Sequence, residues 1–318
     1  MPNPTPSDVH VDALLTSMSV GFLQSPGNFV ADTAFPRMGV SKQSDRYATY
    51  DRGDFFRDDF QRRAVATASA GIGYNVSNEQ YLCEDWALHV DVADQLVANA
   101  NDPFRPLEDA VSLLTQKERI SREVQWVNNF FTTGVWTTNP TVATAWSDAA
   151  SDPIDDIQDN QATVEQLTGM MPNTLVVNRV VFNALRNHPD IVARISGGAT
   201  PGGPAIAQNQ TMASILGVDR ILVSSATQNT AGEGVTDSFA RIAGNHALLC
   251  YVDPNPGIMR PTCGMTFVWS GYIGSAEGRR IKRFRIEEIE SERVEMQANW
   301  DMKVISADLG VFFANCAS

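Results

Sequence analysis

Four carboxylates between positions 152 and 159 are the cluster in this sequence best placed to do chemistry. Asp152, Asp155, Asp156 and Asp159 recur at i, i+3, i+4 and i+7, so a helix would carry them on one face. Such a group could bind a divalent cation or exchange protons with a substrate. Acids near the start of a helix also stabilise the positive end of its dipole. We favour this plainer interpretation and predict no metal site here.

The cysteines and histidines do not form a recognisable site either. No cysteine belongs to a C-x-x-C pair, and the four are scattered along the chain: Cys83, Cys250, Cys263 and Cys316. The four histidines are as widely spaced: His10, His89, His188 and His246. Zinc ligands usually come in close pairs, so we expect reduced, mostly buried thiols and no bound metal.

The common signatures of catalytic and nucleotide-binding sites are absent from the sequence. It contains no G-x-S-x-G, no H-E-x-x-H, no Rossmann glycine pattern and no Walker pattern. The Gly/Pro-rich segment 196–210 lacks the G-K-[S/T] ending of a phosphate-binding loop, so we interpret it as a flexible connection. We predict no catalytic residue and no cofactor, and expect a protein that is not an enzyme.

Composition limits the partners that this chain can have. Its 37 acidic and 24 basic residues give a net charge of −13, whereas proteins that grip nucleic acid usually carry a basic surplus. No apolar run approaches the roughly 20 residues needed to cross a bilayer. The first residues, MPNPTPSDVH, do not form a secretory signal. We expect weak, non-specific contact with DNA and no contact with a membrane.

The elements that would position any functional residues begin with a long helix. Asp102 suits the N-cap and Pro103 the first helical position. Apolar residues then recur at helical spacing as far as Gly134: Leu107, Val111, Leu114, Ile120, Val124, Val127 and Phe131. A helix of about 30 residues would be about 45 Å long. The acidic cluster lies on a second predicted helix over 151–169, which Gly169 would end.

A strand and a helix packed against it are predicted for 171–195. The apolar run 174–177 is typical of a buried strand, and the chain bends again at His188-Pro189. Between them, apolar residues recur at helical spacing: Val181, Phe182 and Leu185. We also predict a short helix over 212–216 and strands over 220–224 and 246–252. Residues 280–314 are predicted to be rich in strands.

Residues 41–75 interleave aromatic with charged residues and do not follow a helical period, which suits a two-stranded hairpin. An isolated hairpin is marginal in water, so this one should rest on a partner. The aspartates between its arginines favour mutual ion pairing over nucleic-acid binding. The residues that we expect to make the contact are Tyr47, Tyr50, Arg52, Phe55, Phe56, Arg57, Phe60, Arg62 and Arg63.

Residues 1–40 contain five prolines and no sustained period. One short amphipathic stretch lies within them: Val11, Leu14, Leu15 and Met18. This segment cannot bury much apolar surface by itself. We expect it to lie across another surface, such as a neighbouring subunit, and the alternative is a loosely ordered terminus.

Two segments resemble the major capsid proteins of tailed phages. Met171–Ile195 resembles a strand–helix unit of the domain that lines the centre of each capsomer. Trp146-Ser147, followed by 152–157, is similar to the entry of that domain in the lambda-like branch. The order of elements over nearly the whole chain also resembles the Hong Kong 97-type capsid fold, an α+β fold.

The resemblance implies four parts. They are an N-terminal arm (1–40), an extended loop (41–75), a peripheral domain (76–135 and 261–302) with a spine helix at about 103–132, and an axial domain (136–260 and 303–318). It implies a structural protein whose hexamers and pentamers close into an icosahedral shell around double-stranded DNA, assembled in the host cytoplasm. A cellular nanocompartment shell, similar to encapsulins, and a soluble α/β enzyme are the alternatives.

The resemblance also implies partners. These are other copies of the chain, a portal protein, a decoration protein and a separate scaffolding protein, because about 40 N-terminal residues leave no room for a scaffolding domain. Some members of the family crosslink their shells through a lysine of the extended loop. This region contains only Lys42, one of four lysines in the chain, so we expect noncovalent contacts instead.

Overall fold

A computed structural model describes residues 23–100, 104–196, 209–253, 255, 257, 260–275 and 277–317. The expected stretch at 11–18, the helix start at Asp102-Pro103 and most of the Gly/Pro segment lie outside these residues. The described residues form nine α-helices: α1 Ala31–Ala34, α2 Arg52–Phe55, α3 Asp94–Asn99, α4 Pro106–Phe130, α5 Pro153–Thr168, α6 Arg179–Asn187, α7 Pro189–Ser196, α8 Asn209–Ile215 and α9 Ser270–Ile273. Short 3-10 turns occupy Pro26–Asn28, Glu287–Ile289 and Ala307–Leu309.

Strands form two main sheets and two separate ladders in this part of the chain. Their bounds are β1 Arg37–Val40, β2 Ser44–Tyr50, β3 Val76–Leu82, β4 Glu84–Ala93, β5 Thr174–Asn178, β6 Arg220–Ser224, β7 Thr227–Asn229, β8 Phe239–Arg241, β9 Ala247–Cys250, β10 Gly264–Trp269, β11 Arg279–Ile286, β12 Ser291–Val304 and β13 Gly310–Phe313. One sheet has the order β1-β10-β12-β11, with β4 also paired to β12. The other has the order β13-β9-β5-β6, while β2-β3 and β7-β8 form the two ladders.

The long helix α4 packs on the five-stranded sheet through β12. Alternate residues of β12 are buried on the helix side, including Val294, Met296 and Trp300, as the two-residue period of a strand requires. The helix begins at Pro106, not at Pro103, because Arg105 is its N-cap and Pro106 takes the first helical position. Pro103 and Pro106 both suit the first position of a helix, and the helix begins at Pro106.

The four-stranded sheet confirms the predicted strand–helix unit. All five residues of β5 are buried, and α6 packs Val181, Phe182 and Leu185 against the core. The predicted helix before it is α5, which ends at Gly169 with φ +69°. The bounds of the peripheral and axial domains remain predictions.

Residues 26–40 pack into the core of their own subunit, whereas the sequence predicted that the segment 1–40 would lie across another surface, such as a neighbouring subunit. Val30, Ala31, Ala34 and Phe35 are buried in the core, and β1 pairs in parallel with β10. The Phe35 ring stands 5.9 Å from the Trp126 ring of α4. One helical turn and one four-residue strand are too short to leave a period in the sequence, so the apolar pattern did not predict this packing.

The carboxylate of Glu123, buried in the middle of α4, joins three parts of the chain. Its Oε2 accepts hydrogen bonds from the backbone N–H groups of Val30 and Ala31 at 3.0 and 2.9 Å. Its Oε1 accepts from the Ser224 hydroxyl, at the end of β6, at 3.0 Å. Burial raises the pKa of the Glu123 carboxyl, although these hydrogen bonds act in the opposite direction.

A second group of charges, centred on Arg122, lies immediately before Glu123 on the same helix. The Arg122 guanidinium is almost fully buried and pairs with Glu118 at 2.7 Å and with Asp32 at 2.8 Å. It also lies 4.6 Å from the centre of the Trp300 ring. Arg279 of β11 adds a further ion pair to Glu118 at 3.4 Å. Together these contacts fix the N-terminal segment and the sheet to one helix.

We predict that Glu123→Ala destabilises the subunit by about 2–4 kcal/mol, because two buried N–H groups and a hydroxyl lose their acceptor. Glu123→Gln is the matched control, since its amide can accept from the N–H groups and donate to Ser224. Its effect on the free energy of unfolding should stay within about 1.5 kcal/mol. Equal losses from both substitutions, measured by urea denaturation, would contradict the hydrogen-bonding role.

Because the pKa of Glu123 is raised, the free energy of unfolding depends on pH in a defined direction. The native carboxyl keeps its proton at a higher pH than the unfolded one does, so the native state binds more protons between the two values. Lowering the pH through that range should therefore stabilise the natural chain relative to Glu123→Gln. Parallel urea titrations between about pH 4 and pH 7 would measure the difference.

Candidate assembly interface

The predicted hairpin is present, but its strands lie further apart in the sequence than expected. Strand β2 pairs antiparallel with β3, from Ser44 opposite Leu82 to Tyr50 opposite Val76. The expectation that both strands lie within 41–75 is therefore wrong for the second one. Between Tyr50 and Val76, the 25 residues 51–75 contain one helical turn, α2, and no strand. We call this connection the hairpin tip (51–75).

The base of the hairpin is attached to the subunit that carries it. Tyr81 stacks on Phe267 of β10 with ring centres 4.6 Å apart, and Tyr47 lies 5.4 Å from the same ring. The side chain of Asp301 accepts a hydrogen bond from the Leu82 N–H at 2.9 Å. Tyr47 therefore has a packing partner within its own chain, whereas the sequence predicted that it would contact a partner.

A small aromatic cluster lies where the ladder meets the hairpin tip. The rings of Tyr50, Phe55 and Tyr74 are 5.8 to 6.2 Å apart, which are ordinary distances for aromatic pairs. All three rings remain exposed by 40% or more. The cluster shapes the start of the tip but leaves a large part of its apolar area exposed to solvent.

The first residues of the tip contact the end of the same chain. Arg52 pairs with Asp308 at 2.8 Å, and the other oxygen of Asp308 accepts from the Thr137 hydroxyl at 2.7 Å. The Phe56 ring lies near Gly169. A Cβ atom placed on this glycine would be 3.7 Å from the ring. Arg52 is thus held by its own subunit, while Phe56 keeps 61% of its surface exposed.

The remaining arginines of the tip are exposed. Arg57 lies 3.9 Å from Asp54, and Arg63 donates to the carbonyl of Thr67. Arg62 is exposed. The expected pairing with neighbouring aspartates is therefore seen for Arg57, at the outer limit of an ion pair.

Several apolar residues of the tip face solvent without any cover. Phe60 is fully exposed, and so is Val65. Ile72 is 76% exposed. Val65, Ile72 and Tyr74 were missed in the sequence because they stand singly among small residues, in AVATASAGIGYN, where no period marks them. A set of large apolar side chains this exposed on one segment indicates a contact surface.

Two members of the acidic cluster, for which the sequence predicted no metal site, have ordinary partners. Asp156 accepts a hydrogen bond from the Trp146 indole at 2.9 Å, and Asp155 lies 3.9 Å from Arg194. Among the described residues, no group of three or more His, Cys, Asp or Glu side chains is arranged to hold a metal ion. The same residues include no helix with the length and hydropathy to cross a membrane.

The four cysteines are buried and free, as predicted. Burial raises the pKa of the Cys83 thiol to about 12 and raises that of Cys316 as well. Thiols with raised pKa values stay protonated near neutral pH and react slowly. The cysteines therefore act as small apolar side chains in the core.

Comparison with known sequences identifies capsid proteins as relatives. The phage major capsid protein E family matches residues 123–260. A major capsid protein of Pseudomonas phage JBD67 is 27% identical over 314 residues, covering 97% of each chain. A major capsid protein of Burkholderia phage BcepMu is 22% identical over 312 residues, covering 94% of each.

Comparison with solved structures confirms the expected Hong Kong 97-type α+β fold. A phage-related protein from Bordetella bronchiseptica matches with a TM-score of 0.68 at 17% identity, covering 92% of this chain and 94% of that one. The capsid of cyanophage P-SCSP1u matches with a TM-score of 0.62 at 10% identity, covering 98% and 94%. The SrpI encapsulin of Synechococcus elongatus matches with a TM-score of 0.58 at 12% identity, covering 96% and 95%.

We predict that Tyr47 and Phe60 differ in what they stabilise. Tyr47→Ala removes a ring packed on Phe267 and should lower the free energy of unfolding of the isolated subunit by about 1–2 kcal/mol. Phe60→Ala removes a ring that touches nothing in the subunit and should change it by less than about 0.5 kcal/mol. Urea denaturation of both variants makes the comparison. A loss from Phe60→Ala as large as that from Tyr47→Ala would show that the tip belongs to the core.

Proposed function

We propose that this chain is the major capsid protein of a tailed phage, with hexamers and pentamers that close into an icosahedral shell around double-stranded DNA. Its role as a structural shell protein, predicted from the sequence, is confirmed by the capsid relatives that match it over 94% and 97% of its length. The observation that supports assembly through the hairpin is the exposed apolar surface of residues 51–75.

The contact buries, on a neighbouring subunit, the apolar side chains that the isolated subunit exposes to solvent. Burial of a large apolar side chain is worth about 1.5–3 kcal/mol before the entropy of ordering is subtracted. The residues that we assign to this contact are Tyr50, Phe55, Phe56, Phe60, Val65, Ile72 and Tyr74, together with Arg57, Arg62 and Arg63. Tyr47 and Arg52 orient the hairpin from within their own subunit.

Portal, scaffolding and decoration proteins are further partners in this proposal, and the host cytoplasm is the place of assembly. The chain's four lysines and the single Lys42 near the hairpin support noncovalent stabilisation of the shell. Lys42 itself pairs with Asp45 at 3.0 Å.

A cellular nanocompartment shell is the second candidate, because an encapsulin shares the fold over nearly the whole chain. The two functions differ in what the particle encloses. Particles purified from the natural source would contain double-stranded DNA in the first case and a protein cargo in the second. Nuclease-protected DNA extracted from intact particles supports the phage capsid, whereas particles that hold only a cargo enzyme would overturn it.

We predict that replacing the exposed tip residues prevents shell closure without unfolding the subunit. The variant carries Phe56→Ser, Phe60→Ser, Val65→Ser and Ile72→Ser. Its circular dichroism spectrum should match that of the natural chain, because these side chains lie outside the core. Electron microscopy should show free subunits or capsomers in place of closed particles.

The matched control keeps the tip apolar through Phe56→Leu, Phe60→Leu, Val65→Ile and Ile72→Val. Because burial of aliphatic surface is non-directional, this variant should still form closed particles. Normal particles from the serine variant would refute the contact. Loss of particles from both variants would mean that ring shape, and not apolar area, sets the contact.

We also predict that the soluble subunit binds double-stranded DNA weakly and without sequence preference. A net charge of −13 repels the phosphate backbone, and aspartates are interspersed among the arginines of the tip. A gel-shift titration at physiological salt should show no complex at low micromolar concentration. Tight binding to one sequence over a scrambled one would contradict this expectation.

A further inference from the structure

Strand β4 forms an edge of the five-stranded sheet. It pairs antiparallel with β12, from Glu84 opposite Trp300 to Ala93 opposite Ser291, and with no other strand of the described residues. Residues 84–89 are all exposed, so both faces of the strand are open to solvent at this end. Alternate N–H and C=O groups of such an edge point away from the sheet and can pair with a further strand.

The large apolar side chains of this exposed edge lie on one face. Trp86 and Leu88 are 39% and 51% exposed. They lie opposite the buried Ala298 and Met296 of β12, so they belong to the face that α4 covers further along the sheet. The Trp86 ring stacks on the buried Trp300 ring, with the ring centres 5.7 Å apart. The exposed edge therefore continues the apolar layer between α4 and the sheet.

The second half of the hairpin tip lacks a partner of its own. Residues 67–75 belong to no helix or strand, and all of them are exposed. Residues 64–75 contain no charged side chain. The two-residue period of a strand would place Ile72 and Tyr74 on one face and only the small Gly71 and Gly73 on the other. Such a segment can add to a sheet edge without bringing a charge against it.

We propose that residues 68–74 of one subunit pair, as an additional strand, with the outer edge of β4 in a neighbouring copy. This inference rests on the proposed function and names the surface that the hairpin tip meets. Pairing places Ile72 and Tyr74 beside Trp86 and Leu88, on the face that α4 covers. It also provides hydrogen-bonding partners for the backbone of both segments.

Charge favours β4 over the opposite edge of the same sheet. Glu84 and Asp85 begin β4, and residues 84–89 contain no lysine or arginine. Arg62 and Arg63 lie directly before the uncharged part of the tip. The opposite edge is β11, which carries five cations: Arg279, Arg280, Lys282, Arg283 and Arg285. The arginines of the tip are therefore attracted to the start of β4 and repelled by β11.

Disulfide trapping in assembled particles or capsomers of the full-length chain tests the pairing. Directly opposed residues on adjacent strands have Cβ atoms about 5 Å apart, close to the reach of a disulfide. All four natural cysteines are buried. Ile72→Cys is combined with Leu88→Cys for an antiparallel pairing or with Trp86→Cys for a parallel one. With oxidised glutathione, one of the two combinations should give a ladder of linked subunits on a non-reducing gel.

The matched control combines Ile72→Cys with Ile281→Cys. Leu88, Met296 and Ile281 lie in one row across the sheet, and Ile281 is 46% exposed on β11. Leu88 and Ile281 have similar exposure and lie on the same face, about two strand spacings or 9.5 Å apart. Trapping on β4 should be at least about tenfold faster than trapping on β11 if the tip pairs with β4.

Two further variants test the backbone pairing. Ala70→Pro with Gly71→Pro, added to the faster β4 combination, removes two adjacent N–H groups, one of which faces the partner strand in either direction. This should slow trapping by at least about tenfold. Ala70→Ser with Gly71→Ser keeps both N–H groups, and a Cβ atom at Gly71 meets nothing within 4 Å. The serine control should change the rate by less than about twofold.

Three outcomes would overturn the pairing while particles still form, and so leave the shell function in place. They are equal trapping on β4 and β11, trapping that the prolines do not slow, and an intrachain disulfide as the main product. The last would mean that the tip folds back on its own subunit. Failure of the natural chain to assemble would refute the proposed function and this inference with it.

Discussion

The fold depends on charged side chains that α4 carries into the core. Glu123 accepts from two backbone N–H groups of the N-terminal segment and from Ser224 of the four-stranded sheet. Arg122 pairs with Asp32 and Glu118 beneath the Trp300 ring. Partners such as these offset the cost of removing a charge from water. One helix therefore sets the relative position of the two sheets and of the segment that crosses between them.

The base and the tip of the hairpin differ in what covers their apolar side chains. Its base packs Tyr81 and Tyr47 on Phe267, so the ladder leaves the subunit in a defined direction. Its tip has no comparable core and exposes Phe60, Val65 and Ile72 to solvent. A rigid base with an apolar, unpartnered tip suits a subunit whose stability is completed by its neighbours. This difference between base and tip explains why some residues of the hairpin pack on their own subunit while others are exposed to solvent.

Several groups that could do chemistry in another setting have structural partners among the described residues. On α5, the Asp156 carboxylate accepts a hydrogen bond from Trp146 and Asp155 lies near Arg194, so these two carboxylates have structural contacts. The four cysteines are buried and free, and burial raises the pKa of the Cys83 thiol. The described hairpin tip offers exposed apolar area and interspersed charge. These are the means by which proteins associate with copies of themselves.

The sequence by itself determined the elements whose apolar pattern is long or strongly punctuated. It predicted the strand–helix unit around β5 and α6, the end of α5 at Gly169 and most of the long helix. The order of these elements, through its resemblance to phage capsid proteins, predicted the fold. Only the tertiary structure decided that Phe35 is a core residue, that β3 lies beyond residue 75, and that Tyr47 and Arg52 contact their own subunit. Periodicity reports which face of an element is apolar, but not what covers that face. A single turn or a single exposed ring has no period, so its partners are known only once distant segments are brought together.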